Sequence, residues 1–313
     1  MLARWIPSGA LPTQLLCAVR CLSLKRQPPQ LQARGGCIPA LCLAQGAWDP
    51  TVALRVLSKA TARRVLGRYL GIAPGAVCLA KTSHGKPRVV QGPGPGVEYS
   101  VTHTRGIFGM AVGHSVGVGL DAERLDRATS LDPLKLAKRR MHEDEVAQLA
   151  GLASDAGERG VRARCVGHWR ARAMGNSPLA LRLAVTLRAG FNALWTAKEA
   201  FVKAAGRGIS APPGLRGFAI ELPRGFLDPE LSLALASAGW SHRAAIALHD
   251  DAAGGVEPWG ADSDPFDRPD GEFEHTLLLS RPAHEHVASL CLRAPKGAAL
   301  CAPPTVPEFL LCD

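Results

Sequence analysis

The stretch WTAKEAFVK, residues 195–203, is the most informative part of this 313-residue chain. Its composition is typical of a helix, and Glu199 and Lys203 are four positions apart, so they share one helical face. Trp195 lies four positions before Glu199 on the same stripe, so this face is not simply solvated. The segment Gly206-Arg207-Gly208 ends the helix at a turn where backbone can approach a ligand. An ordinary surface ion pair is the alternative interpretation.

Glu199 and its neighbours form one acidic cluster, and Gly119-Leu120-Asp121-Ala122-Glu123 form another. Asp121 lies 78 positions before Glu199. At a strand end, Asp121 and Glu123 would point to the same side because side chains alternate along a strand. Two carboxylates placed in this way repel each other unless a cation lies between them, and hard oxygen ligands favour Mg²⁺, with Mn²⁺ as an alternative. Two exposed acids in a turn are the other interpretation of this cluster.

The composition of the chain limits its partners. The formal net charge is +10, which indicates an anionic partner such as a nucleic acid, an acidic protein or a phosphate-rich ligand. Aromatic residues make up only 5% and are not interleaved with Lys and Arg, which disfavours a nucleic acid. No apolar stretch reaches the roughly 18 residues of a membrane-spanning helix. The nine cysteines form no CxxC pair, which favours reduced thiols.

Four segments differ in composition from the rest of the chain. Residues 1–48 contain five basic residues and no Asp or Glu, which is typical of a chloroplast or mitochondrial transit peptide. A disordered basic tail or a mis-predicted first exon explains this leader equally well, and the protein would then be cytosolic. Residues 153–190 are rich in arginine and are predicted to form an insertion or irregular loop. Residues 250–274 form a predicted acidic loop, and residues 296–313 a disordered tail.

Hydrophobic periodicity and turn residues predict the secondary structure. Three helices are expected, over residues 51–70, over residues 133–152 with Asp132 as N-cap, and from near Asn192 to Gly206. Strands are expected over residues 76–80, 88–91, 97–101, 106–112, 115–120, 218–222, 231–235, 243–249, 275–280 and 286–293. Helices and strands do not alternate regularly, so the fold class is predicted to be α+β.

Two further motifs lie between the leader and the first acidic cluster. Gly85-Lys86-Pro87 places a lysine on a stiff turn, where it could contact a phosphate. Ser100-Val101-Thr102-His103-Thr104 places hydroxyls and an imidazole at a strand end. A histidine alone in such a place is normally structural.

The order of these four motifs resembles that of the 4′-phosphopantetheinyl transferases, in particular the surfactin-synthetase-activating type. The resemblance covers roughly residues 50–293, and its most specific part is the WTAKEA segment with Lys203 and the Gly206-Arg207-Gly208 turn. It implies two similar fused lobes related by a pseudo-two-fold axis, each a small antiparallel sheet with a packed helix, and an active site at their interface. The lobes would span residues 49–115 and 116–295, and a monomer would suffice.

The resemblance also implies an activity, that of a holo-[acyl-carrier-protein] synthase. Phosphopantetheine would move from coenzyme A, the co-substrate, to a serine of an acidic acyl or peptidyl carrier protein, releasing adenosine 3′,5′-bisphosphate. Carriers of fatty acid, polyketide, peptide or aminoadipate-type lysine synthesis are all compatible with it. By position, Mg²⁺ would be held by Asp121, Glu123 and Glu199, and Glu199 would also be the base for the incoming serine. Lys203 would act with it on the charge of the two linked phosphates.

Coenzyme A phosphates would, by the same resemblance, be contacted by Lys86, Thr102, His103 and Lys203. The sequence departs from the family where Ser100 replaces the usual Asn and where Arg55 is the only arginine near the start of the first lobe. A non-catalytic relative that binds carrier protein or coenzyme A is therefore an alternative. A basic nucleic-acid-binding protein is a third hypothesis, and it depends on charge alone.

Overall fold

The computed structural model describes fourteen segments of the chain. They are residues 18–24, 50–82, 84–90, 96–104, 107–114, 116–129, 131–158, 178–206, 208–209, 214–227, 242–248, 272–283, 285–297 and 308–312. The predicted strand at 231–235 lies outside them, as do Arg207, nearly all of the predicted acidic loop and most of the leader. The proposed lobe and segment boundaries stay predictions.

Helices and strands do not alternate regularly along the chain, as expected for an α+β fold. The described residues contain four α-helices and eleven strands. The helices are α1 (Pro50–Leu70), α2 (Pro133–Arg140), α3 (Glu143–Glu158) and α4 (Pro178–Ala205). The first strands are β1 (Ala18–Leu24), β2 (Leu79–Lys81), β3 (Pro87–Val89), β4 (Val97–Thr104), β5 (Ile107–His114) and β6 (Gly117–Arg124). The later strands are β7 (Phe218–Glu221), β8 (His242–Leu248), β9 (Phe273–Ala283), β10 (His286–Pro295) and β11 (Glu308–Cys312).

The strands form two larger sheets and one hairpin. One sheet has the order β11-β1-β5-β4, and the other has the order β6-β10-β9-β8-β7. All pairings are antiparallel except that of β1 with β11, and β2 pairs with β3 as a hairpin. The α+β class is therefore confirmed, whereas the repeat relation between two lobes stays a prediction.

The five-stranded sheet is covered on both faces. Ala200, Phe201 and their neighbours on α4 pack with residues of α2, α3, β9 and β10 in one apolar cluster. The opposite face, including Val118 and Leu120, packs with Ile107 and Ala111 of β5 in a second cluster. A third cluster joins α1 to β3, β4 and β5. None of the described helices is both long and apolar enough to cross a lipid bilayer.

The prediction of one helix over residues 133–152 is wrong, because the structure has two helices there. The Asp132 side chain caps α2 by accepting hydrogen bonds from the amides of Leu134 and Lys135, as predicted. The chain then leaves the helical conformation at Met141 and begins α3 at Glu143. The Glu145 carboxylate accepts a hydrogen bond from the His142 amide at 2.9 Å, which caps the new helix.

The prediction of an irregular stretch over residues 153–190 is also wrong in its described parts. Helix α3 continues to Glu158, and α4 begins at Pro178 rather than near Asn192. Leu183, Leu187 and Phe191 are buried at helical spacing along the added turns. Phe191 belongs to the main apolar cluster, and the burial of the whole stripe stabilises a helix despite the interspersed arginines.

Candidate active site

The two acidic clusters are brought together by a close approach of β6 to α4. A Cβ atom at Gly119 would overlap the Ala200 carbonyl oxygen and the Ala204 amide nitrogen, and one at Gly117 would lie 2.9 Å from the Ala204 carbonyl oxygen. Only glycine therefore allows this strand to lie directly on the helix. This spacing places the side chain of Asp121, on the same face of β6, beside that of Lys203 on α4.

Asp121 is at the centre of the candidate site and is only 6% exposed. Its Oδ1 atom accepts hydrogen bonds from Lys203 Nζ at 2.6 Å and from Thr102 Oγ1 at 3.0 Å. Its Oδ2 atom is buried and makes no hydrogen bond within the described residues. Asp121 is therefore held firmly through one of its two oxygens.

A row of hydroxyls on β4, formed by Ser100, Thr102 and Thr104, joins the two sheets. Ser100 Oγ accepts a hydrogen bond from the Leu120 amide at 2.9 Å, and Thr102 Oγ1 accepts one from the Ala122 amide at 3.1 Å. Thr104 Oγ1 donates to Glu123 Oε2 at 3.3 Å. These contacts satisfy strand amides with side chains.

This hydroxyl row gives Thr102 a role that the sequence did not reveal. Thr102 is 4% exposed, and its hydroxyl already contacts Asp121 and the β6 backbone. In the structure this hydroxyl orients the carboxylate of Asp121. A contact between Thr102 and a coenzyme A phosphate stays a prediction. Ser100, which departs from the family pattern, occupies an equivalent place one pleat earlier.

Glu123 lies in an environment that opposes its charge. Burial is the main cause that raises the pKa of Glu123 to about 7, and the negative charge of Asp121 is the next largest. The ion pair with Arg127, the Thr104 hydroxyl and Lys203 act in the opposite direction but are weaker in sum. A bound cation would offset both the burial of the Glu123 charge and its repulsion by Asp121.

Glu199 has a similar electrostatic setting on α4. Burial raises the pKa of its carboxyl, the Lys203 ammonium lowers it, and the negative charge of Asp121 raises it again. Glu123 and Glu199 therefore each lie within electrostatic reach of both Asp121 and Lys203. A raised pKa brings a carboxylate closer to neutrality and makes it a better base at neutral pH.

Two of the three carboxylates of the site form ion pairs with cations of the protein. Lys203 contacts Asp121, and Arg127 contacts Glu123. As placed, no three His, Cys, Asp or Glu side chains in the described part of the chain are grouped closely enough to hold a metal ion. The donors themselves are the hard oxygens that Mg²⁺ prefers, and the buried Oδ2 of Asp121 has no partner among the described residues. The donor chemistry thus fits Mg²⁺, which would compete with Arg127 for Glu123.

The raised pKa of Glu123 predicts a pH-dependent stability without added metal. Folded protein retains the Glu123 proton up to about pH 7, whereas an ordinary glutamate loses it near 4.5. The folded state binds more protons between these values, so stability falls as pH rises through this window. Glu123→Gln should therefore be more stable than the parent by about 1–3 kcal/mol at pH 8 and by little at pH 4.5.

Urea unfolding of both proteins across this pH range measures the difference. Glu221→Gln, which alters an exposed glutamate on β7, is the matched control for the loss of one negative charge. A difference between parent and Glu123→Gln that stays constant from pH 4.5 to 8 would contradict the burial argument.

Lys86 and His103 are placed differently relative to the carboxylates. The ammonium of Lys86 forms a 2.9 Å ion pair with Glu98, and its side chain passes close to Gly206 at the end of α4. Lys86 therefore lies near the same helix end as Lys203. His103 is exposed, and strand alternation places it on the face of β4 opposite Thr102. It is the one predicted site residue that the structure leaves away from this cluster.

Asn192 is a site residue for which the sequence indicates only the start of a helix. Its side-chain amide donates to the carbonyl oxygens of Arg124 at 3.0 Å, Leu125 at 3.0 Å and Arg127 at 3.2 Å. Three contacts from one buried amide fix the turn after β6 against α4. This turn carries Arg127, so Asn192 helps to place the cation that faces Glu123.

Lys198 has a structural position inside the WTAKEA segment. Its ammonium is fully buried, 2.8 Å from the Glu145 carboxylate, and donates to the carbonyl oxygens of Leu215 and Phe218 at 2.7 and 2.6 Å. Glu145 in turn accepts from the Ile220 amide at 2.9 Å. The two neighbours in this motif are thus divided between tasks: Lys198 ties α4 to α3 and β7, while Glu199 belongs to the carboxylate site.

One family model matches part of the chain. The model described as "4′-phosphopantetheinyl transferase superfamily" matches residues 117–243, from the start of β6 into β8. This segment contains the three carboxylates and Lys203. No curated protein matches the chain. The match indicates phosphopantetheine transfer in general terms and does not extend to the part of the chain that contains Lys86, Thr102 and His103.

Proposed function

We propose that this protein is a 4′-phosphopantetheinyl transferase of the surfactin-synthetase-activating type, which acts as a holo-[acyl-carrier-protein] synthase. It transfers phosphopantetheine from coenzyme A to a serine of an acidic carrier protein. The observation that carries the proposal is the arrangement of Asp121, Glu123 and Glu199 around Lys203. Such a set of carboxylates beside an ammonium suits a pyrophosphate bound with Mg²⁺, and the family match covers all four residues.

The reaction forms one bond and breaks one. The serine oxygen bonds to the phosphorus that carries pantetheine, and the bond from that phosphorus to the bridging oxygen breaks. Glu199 takes the serine proton, and the bridging oxygen leaves on adenosine 3′,5′-bisphosphate. Burial raises the pKa of the Glu199 carboxyl, which makes it a stronger base than an exposed glutamate.

The charge that develops on the phosphates needs fixed cations. Mg²⁺, when bound by Asp121, Glu123 and Glu199, would neutralise charge on the pyrophosphate. Lys203 is itself held in place by Asp121 Oδ1 at 2.6 Å and by the Leu120 carbonyl oxygen at 3.3 Å. An ammonium fixed in this way is ready to stabilise the leaving oxygen. Lys86 lies near the same end of α4, where its ammonium is paired with Glu98, and would contact a further phosphate of coenzyme A.

Helix α2 offers a basic surface for an acidic carrier. It follows the site-bearing strand β6 and its turn, is anchored by the buried side chain of Ala137, and ends in Lys138, Arg139 and Arg140, which are exposed. Like-signed charges on one short helix attract an acidic partner over about 10 Å at ordinary salt. The overall charge of +10 agrees with such a partner.

Charge reversal on α2 should therefore weaken carrier recognition. The double variant Lys138→Glu/Arg139→Glu is expected to raise KM for an acidic carrier by about tenfold at low salt and to leave kcat nearly unchanged. Steady-state transfer kinetics at low and high salt measure this effect, which should shrink as salt rises. Lys59→Glu/Arg64→Glu, with the same charge change on exposed positions of α1, is the matched control. Equal KM changes in both double variants would contradict a docking role for α2.

The direct test is transfer to purified apo-carrier proteins from fatty acid, polyketide, peptide and aminoadipate-type systems. Mass spectrometry should show an increase equal to one phosphopantetheinyl group on at least one carrier. Binding of coenzyme A or a carrier without any mass increase would instead identify a non-catalytic relative. Salt-dependent DNA binding without carrier modification would favour the nucleic-acid-binding alternative.

A further inference from the structure

We propose that Ser289 is a positioning residue for Asp121, and that its hydroxyl donates a hydrogen bond to Asp121 Oδ2. The inference deepens the proposed function, because it assigns the residue that fixes the second oxygen of a metal-binding carboxylate. Ser289 lies on β10, 168 positions from Asp121 in the chain and outside the segment that the family model matches.

The strand register places these two residues side by side. Ser289 and Asp121 are direct Cα partners in the antiparallel pairing of β10 with β6. Directly opposed residues in an antiparallel pair point to the same face, with Cβ atoms about 4.5–5.5 Å apart. Both side chains therefore project from the sheet toward α4.

The surroundings of Ser289 do not account for a hydroxyl. Ser289 is 0% exposed, and its Oγ makes no hydrogen bond within the described residues. Its neighbours on the same face are apolar: Val287 and Cys291 along β10 and Leu279 across β9 all belong to the cluster that packs on α4. An unsatisfied buried hydroxyl costs about 1–3 kcal/mol, so alanine would be the better residue for packing alone.

Asp121 supplies the matching acceptor. Its Oδ1 already accepts from Lys203 and Thr102, whereas its Oδ2 is buried and makes no hydrogen bond in the described part of the chain. A carboxylate can only accept and a serine hydroxyl can donate, so the two groups are complementary. Rotation of the serine about a single side-chain bond redirects its hydroxyl.

The consequence for function is a fixed carboxylate plane. With Thr102 and Lys203 on one oxygen and Ser289 on the other, Asp121 would have its orientation set from both sides. Hydrogen bonds of this kind to a metal-binding carboxylate commonly change metal affinity by about 10–100-fold. Ser289 would therefore act through Asp121, without touching the substrate.

Direct binding of Mn²⁺, measured on the full-length protein without coenzyme A or carrier by electron paramagnetic resonance of free Mn²⁺, tests the inference. Ser289→Ala should raise the Kd for Mn²⁺ by about tenfold and should lower the melting temperature slightly, because Asp121 Oδ2 loses its donor. Ser289→Thr keeps the hydroxyl and should restore affinity even if its extra methyl group lowers the melting temperature.

Cys291→Ala is the matched control, because Cys291 lies on the same face of β10 two residues later and opposite Gly119. It should leave the Kd for Mn²⁺ unchanged. If the parent binds Mn²⁺ and modifies a carrier but Ser289→Ala binds Mn²⁺ equally well, the inference on Ser289 is overturned and the proposed function stands. If the parent binds no Mn²⁺ and modifies no carrier, the proposed function fails, and the inference fails with it.

Discussion

Glu199→Gln is expected to lower kcat for phosphopantetheine transfer by about 10²–10⁴-fold, because the base and one proposed metal ligand are lost together. Glutamine keeps the size of the side chain, and it removes a buried charge that Asp121 repels. The melting temperature should therefore stay the same or rise. Initial rates with saturating coenzyme A and carrier, measured alongside thermal unfolding, give both quantities.

The control for Glu199→Gln is the same substitution at the exposed Glu221, which should transfer at the rate of the parent. Loss of activity combined with retained stability would place Glu199 in the chemistry rather than in the fold. Transfer by Glu199→Gln at half the parental rate or more would be incompatible with its proposed role.

Among the variants considered, Lys198→Met should cause the largest loss of stability, about 3–5 kcal/mol. Lys198 is next to Glu199 in the sequence, but its contacts are structural. The substitution leaves Glu145 charged and fully buried, and it removes the donor to the carbonyl oxygens of Leu215 and Phe218. Burial already lowers the pKa of Lys198 to about 8 and raises that of Glu145, so neither charge is tolerated well without the other. Urea denaturation at pH 7 measures the loss.

The double variant Lys198→Met/Glu145→Gln should recover part of this stability. Glutamine removes the unpaired charge, but its single side-chain oxygen can replace only one of the two carboxylate oxygens that accept from the amides of His142 and Ile220, so the recovery is partial. Lys138→Met, at an exposed lysine on α2, controls for the loss of one positive charge and should change stability by less than about 0.5 kcal/mol. Lys198→Met with parental stability but no transfer would mean that Lys198 serves the chemistry directly.

Much of the secondary structure could be predicted because local signals were strong. Helix α1 matches the predicted helix closely, and the Gly71 turn that ends it was visible in the sequence. Strands β4, β5, β9 and β10 overlap their predicted ranges, since β-branched and apolar runs were separated by Gly and Pro. The strands are longer than their predicted ranges, because pairing with a neighbouring strand continues beyond the apolar run.

The helix errors have identifiable physical causes. The break between α2 and α3 contains no Gly or Pro, and it depends on Glu145 capping the His142 amide, whereas the usual capping pattern begins with Ser or Thr. The early start of α4 did have a signal, since Ser177-Pro178 is a typical helix beginning followed by apolar residues at helical spacing. The arginine bias of the segment obscured it.

For the candidate site, the sequence indicated the charged residues but not what positions them. Asp121, Glu123, Glu199 and Lys203 carried clear spacing signals, and in the structure Lys203 lies within electrostatic reach of all three carboxylates. The hydroxyl row, Asn192 and the Gly119 contact are long-range features that depend on β4, β6 and α4 meeting. The close approach has one local sign in the sequence. Gly117 and Gly119 alternate with apolar residues in a strand, and Ala200 and Ala204 are at helical spacing.

The most direct measurement is the mass of a purified apo-carrier protein after incubation with this protein, coenzyme A and Mg²⁺. We expect the carrier to gain one phosphopantetheinyl group at a serine, with release of one adenosine 3′,5′-bisphosphate per carrier, and a chelator to prevent the gain. Mn²⁺ should restore the reaction after chelation. An unchanged carrier mass across the panel of fatty acid, polyketide, peptide and aminoadipate-type carriers, with folded protein that binds Mg²⁺, would contradict the proposed function.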